Sequence, residues 1–157
     1  MDTVNADHEH NQPDGPESPE RTARYHWQRQ TIAETFHRIV KEPDFAWVAI
    51  GDFLDDWRQS AREDRLELVA MGLGKPDKRQ GSLELRRWAA FCAAMVEWLC
   101  WQDKSPFPAW TNNEEYHLAE PWFLYPGELL RAWQLATTPA PFKMRNIFGG
   151  EQMLDRV

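Results

Sequence analysis

The first twenty positions hold no Lys or Arg, cysteine occurs only twice in 157 residues, and strand-like alternation is nearly absent. Nor does any apolar run reach the roughly eighteen residues that would mark a membrane-crossing helix. Each absence excludes something. The segment "MDTVNADHEHNQPDGPESPE" carries Asp2, Asp7, Glu9, Asp14, Glu17 and Glu20 without a basic residue. It therefore holds six of the seven net negative charges and leaves residues 21–157 at -1. A body so close to neutral has no general basic footprint for releasing counterions from a nucleic acid, so nucleic acid is not the expected partner. The acidic, polar start is unlike a signal peptide, and no membrane span is expected, which assigns the protein to the cytoplasm. Cys92 and Cys100 lie eight apart in a predicted helix, too far along it for a disulfide. They read as two buried thiols in a reducing compartment.

Catalytic and metal-binding patterns are missing as well. "GLGKPD" lacks the spacing and the Ser or Thr of a phosphate loop. No Cys/His set has zinc spacing, and no G-x-S-x-G elbow occurs. The "HEH" at residues 8–10 has no third ligand nearby. No metal, cofactor or catalytic residue is expected. Two polar clusters come nearest to chemistry. Glu114, Glu115 and His117, with Glu97, have the residue types of an acid–base site; as a loop cluster they read better as turn caps. Asp52 and Asp56 share a helix face, where like charges repel; pairing with Arg58 and Arg62 is the simpler expectation. A basic set of Arg86, Arg87, Lys143 and Arg145 leaves a DNA-binding regulator as a further alternative. Arg21 and His26 in "RTARYH" resemble the R-x4-6-H signature of HEPN ribonucleases, but they fall at the edge of the acidic segment, and no ribonuclease is expected.

What is present is helical. The acidic segment 1–20, with three prolines and almost nothing apolar, is expected to be a disordered tail. Residues 21–157 are expected to form a single helical domain. The spacing of Ile32, Phe36, Ile39 and Val40 predicts a helix over 21–41, ended by Pro43. Trp47, Ile50, Leu54 and Trp57, widened by Phe45, Val48 and Phe53, predict a well-buried helix over 44–71 capped by Asp44, with a possible break near "ARED". Ser82 caps a helix over 83–104, apolar almost all round and so central. Glu97 in its middle requires a basic partner, Arg58 or Arg87, or else a groove. A helix over 126–137 follows, with Pro126 in its first turn and Leu129, Leu130 and Trp133 inward. The fold class is all-α: a four- to five-helix bundle wrapped by a long aromatic and proline-rich loop, 105–126, and by an irregular C-terminal segment.

Nine tryptophans need packing and N–H partners. Many aromatics fall in the 105–126 loop, beside a closing segment that mixes Phe142, Ile147 and Phe148 with Lys143 and Arg145. Either this half folds onto the helices or it forms a partner-binding face, for which Trp, Tyr and Arg are the usual anchors. The candidate partner-binding residues are Trp110, Tyr116, His117, Trp122, Lys143, Arg145 and Phe148.

Three stretches, "RRWAAFCAAMVEWLC", "PAWTNNEEYHLAEPWFLY" and "TTPAPFKMRNIFGGEQMLDRV", resemble a family of small uncharacterised bacterial proteins with these motifs, over residues 44–157. The resemblance implies neighbours of the nucleotidyltransferase-like toxin–antitoxin kind. It thus implies a non-catalytic, antitoxin-like or accessory protein that works by protein–protein contact. It carries no catalytic residues, and the acidic tail lies outside it.

Overall fold

The computed structural model describes residues 28–74 and 81–155. The acidic segment 1–20 and the pair Arg21 and His26 lie outside these residues. The described chain is mostly helical, in line with an all-α class, with six α-helices and a single two-stranded parallel pair.

Helix α1 spans Ile32–Lys41. Its start is set by a capping box: the Thr31 hydroxyl accepts from the Glu34 N–H, and the Glu34 carboxylate accepts from the Thr31 N–H, both at 3.1 Å. The predicted helix over 21–41 therefore begins later than its pattern suggested. Residues 28–30 are non-helical, and 21–27 lie outside the described residues. Gln30 ties this entry to the next helix, donating through its backbone to Asp56 at 2.7 Å and through its side chain to the Ala49 carbonyl at 2.9 Å.

A 3-10 turn at Pro43–Phe45 leads into α2, Ala46–Gln59. Asp44 makes no capping hydrogen bond and sits within that turn, because Pro43 opens it one residue earlier. The predicted 44–71 helix breaks at Ser60, whose backbone is extended and whose hydroxyl donates to the Asp56 carbonyl. Helix α3, Arg62–Val69, follows. Arg65 holds the break together. Its Nε donates to the Trp57 carbonyl at 2.7 Å, and one of its terminal nitrogens, Nη1, bonds both Asp103 oxygens at 2.9 and 3.0 Å. Helix α2 is buried along Ala46, Ala49, Ile50, Phe53, Leu54 and Trp57. Phe45, Trp47 and Val48 remain about half exposed, so its apolar stripe is narrower than predicted. Asp52 pairs with Arg38 at 2.8 Å and Asp56 receives the Gln30 N–H, so neither takes the expected Arg58 or Arg62.

Helix α4, Leu83–Gln102, is the centre. Ser82 caps it by accepting from the Leu85 N–H, as predicted. It packs against α1, the closing segment and both 3-10 turns of the loop. Its buried Trp88 and Phe91 join Trp47, Trp122 and Phe142 in a run of edge-on and tilted rings with centroids 5.1–6.3 Å apart. Cys92 and Cys100 are buried free thiols on it.

The loop contains 3-10 turns at Ala109–Asn112 and Glu114–Tyr116 and a short strand β1, Trp122–Phe123. Helix α5 spans Glu128–Thr137, α6 spans Ala140–Lys143, and strand β2 is Ile147–Phe148. The strands pair in parallel, Trp122 with Ile147 and Phe123 with Phe148. Helix α5 departs from its predicted phase. Gln134 is fully buried: its side-chain oxygen accepts from the Tyr125 N–H at 3.1 Å and its nitrogen donates to the Tyr125 carbonyl at 3.0 Å. This paired amide turns its own face inward. Leu129 lies roughly 140° away, at about 100° per residue, and is 97% exposed rather than internal.

Burial pushes the Cys92 thiol up to about 12, and burial, with the Asp103 and Glu97 charges, raises Cys100 to about 11. Below about pH 9 both thiols are protonated whether the chain is folded or not. Above it the unfolded chain releases protons that the folded protein keeps, so stability falls as pH rises, by about 1.4 kcal/mol per pH unit for each thiol until its folded value is reached. Urea unfolding at pH 8 and pH 10.5 is expected to give a lower midpoint at the higher pH. A Cys92→Ala variant should about halve the difference, Cys100 supplying the rest; an undiminished drop in the variant would show that Cys92 is not responsible.

Candidate functional site

The closing segment grips the loop and the central helix. Arg145 is only 1% exposed. Its Nη1 donates to Glu97 Oε2 at 2.5 Å and to the Pro141 carbonyl at 2.8 Å, while its Nη2 donates to the Thr111 carbonyl at 2.8 Å. The partner of Glu97 is thus Arg145, from 48 residues away, and not Arg58 or Arg87. Asn146, at φ +62, continues the grip, its side chain donating to the Leu118 carbonyl at 2.8 Å and its carbonyl accepting from Trp122. The Thr138 hydroxyl then accepts from the N–H groups of both Gly149 and Gly150. Arg58 donates to the Leu154 carbonyl at 3.0 Å near the end of the described chain.

Most of the candidate residues take part in this internal construction. Trp110 donates its indole N–H to the Val69 carbonyl at 2.7 Å and meets Tyr116 edge-on. Tyr116 is buried, and burial followed by the Glu115 charge and hydrogen bond pushes its hydroxyl up to about 12. Trp122 is partly buried against Trp88, with the Arg87 guanidinium over its ring at 5.7 Å. Phe148 stacks on Phe123 at 5.1 Å. Lys143 is partly buried and donates to the Ala136 carbonyl. His117 stays exposed; its Nδ1 lies 3.1 Å from the Asn113 carbonyl and, facing an acceptor, carries the proton. Of the basic set Arg86, Arg87, Lys143 and Arg145, the last is inside the protein. Of the acid–base set, Glu97 is engaged by Arg145.

Two surface features remain. One is a cleft of about 790 Å3 between the start of α4 and residues 115–120, which brings Tyr116 and His117 together with Arg86 and Arg87. The other was not legible in the sequence. On α5 the outward arc carries Leu129, Ala132, Leu135 and Ala136, with Glu128 in the first turn among them, all exposed, over about 120° at roughly 100° per residue. Leu130 and Tyr125 flank it, each more than 40% exposed. A hydrophobic count could not have chosen this face, because the polar residues of "ELLRAWQLAT" recur every third position and one of them, Gln134, is the buried one.

Among the described residues no group of His, Cys, Asp or Glu is arranged to hold a metal ion, and no helix is long and apolar enough to cross a membrane. No family model matches the chain, and neither a curated protein nor a solved structure is significantly similar to it.

Proposed function

We propose that this chain is a non-catalytic protein–protein interaction module that docks its partner on the outward face of α5. The observation that carries the reading is Leu129, 97% exposed on a helix whose outer arc also presents Ala132, Leu135 and Ala136, with Glu128 the one charged residue within it. A ten-residue helix is marginal by itself. Here it is tethered through Trp133, Gln134 and Thr138, and its outer leucines contribute nothing to that tether. Apolar side chains collected on one face serve contact with another protein. A helical bundle wrapped by the 105–126 loop and the closing segment is the rigid body that presents this face. The sequence resemblance supplies the class of partner: a bacterial nucleotidyltransferase-like protein, with this chain in an antitoxin-like or accessory role.

The test compares the tagged wild-type protein with a Leu129→Glu, Leu135→Glu variant, each recovered from its native cells at moderate salt. One protein in stoichiometric amount is expected with the wild type and not with the variant. Because both leucines face outward, the variant should unfold within about 0.5 kcal/mol of the wild type. A partner retained equally by both would remove α5 from the interface.

A further inference from the structure

We propose that the cleft between the start of α4 and residues 115–120 binds a small molecule with an apolar body and a single carboxylate. The inference is independent of the α5 face. The cleft measures about 790 Å3, within the roughly 300–1,000 Å3 of small-molecule sites. Phe36, Leu73, Leu85 and Leu118 make its walls, and a few polar groups are set among them, which is the usual composition of a ligand site. Gly74 and Gly81 lie on its edge.

The charged groups narrow the class. Arg86 and Arg87 both line the cleft. Arg87 is held in place by its stacking over Trp122, and Arg86 forms no ion pair among the described residues. A planar guanidinium matches a carboxylate in a two-pronged hydrogen bond. Glu115 and Glu120 line the same cleft and balance the two arginines. The formal charge of the lining thus sums to zero, which disfavours a phosphate dianion; the Arg86 guanidinium, unpaired among the described residues, is what selects a single carboxylate. The Glu115 charge also helps to hold the neighbouring Tyr116 hydroxyl protonated, after burial. His117 lines the cleft with its Nδ1 turned to the Asn113 carbonyl, which leaves Nε2 available for a hydrogen bond with a polar group on the ligand.

The probes are phenylbutyrate and its uncharged analogue phenylbutanol, titrated into the full chain while backbone amide resonances are followed by NMR. Phenylbutyrate is expected to shift the amides of residues 83–89 and 115–120 saturably, and phenylbutanol to bind the same place about tenfold more weakly. Arg86→Gln should cut phenylbutyrate affinity about tenfold and leave phenylbutanol unchanged. Arg86 is exposed and outside every ion pair described, so the variant keeps the fold. The proposal is overturned if phenylbutyrate shifts nothing saturably up to about 10 mM, if the shifts fall on α5 instead, or if acid and alcohol bind equally well.

Discussion

Replacing Arg145 with alanine is expected to lower the unfolding free energy by about 3–5 kcal/mol, the cost of leaving a buried charge without its partner. Glu97 is only 14% exposed at its side chain and would lose its ion pair. The Thr111 and Pro141 carbonyls would lose their donor at the same time. Arg145→Lys should rescue little, because one ammonium cannot reach three acceptors that the guanidinium fork spans. The Arg145→Met, Glu97→Met double variant should be more stable than Arg145→Ala, since apolar residues of similar size remove the desolvated charges altogether. Part of the native interaction is already incomplete: the Arg145 Nε has no partner among the described residues. Urea unfolding of the four proteins measures these differences. A loss below about 1 kcal/mol for Arg145→Ala would mean that the side chain is solvated and the closing segment is held by other contacts.

Gly150→Ala is expected to cost about 2–5 kcal/mol, from two effects that add. Its φ of +81° lies in the left-handed region, where a Cβ costs about 1–2 kcal/mol. A Cβ there would also fall inside the Trp133 ring, which sits directly on the glycine, and overpacking of this kind costs about 1–3 kcal/mol. Trp133 is the aromatic tether of α5, so the displacement should also change tryptophan fluorescence in the folded state. Gly127→Ala is the comparison. Its φ of +107° imposes backbone strain, but its Cβ would meet nothing within 4 Å. Calorimetric unfolding should rank Gly150→Ala well below Gly127→Ala. Equal losses would show that Trp133 yields freely and does not fix α5.

The helices are most legible in the sequence where a long apolar run follows a capping residue. The 83–104 prediction matches α4 to within two residues, and Ser82 caps it as its position suggests. The start of α1 was missed although its signal is present, because Thr31 and Glu34 form a capping box inside a longer helical-looking pattern. The phase of α5 was not legible. A buried glutamine fixes it by bonding the backbone of Tyr125, nine residues earlier, and hydrophobic periodicity carries no sign of that. The Glu97–Arg145 pair had half a signal: a glutamate in an apolar helix demands a cation, but nothing local says which. The two-residue strands are too short to show alternation, and their pairing joins residues 25 apart. The aromatic loop and closing segment stand apart from the helices in composition. Their candidate residues divide between internal partners, as for Arg145 and Trp110, and the surface, as for His117.

The most direct test of the interaction reading is a hydrogen-exchange footprint of the chain, free and bound to the stoichiometric protein recovered from its native cells. Slowed exchange of α5 amides over residues 128–137 is expected in the complex, with little change in α4, whose amides are already internal. Protection confined to residues outside α5, or the absence of any stoichiometric protein, would contradict that reading.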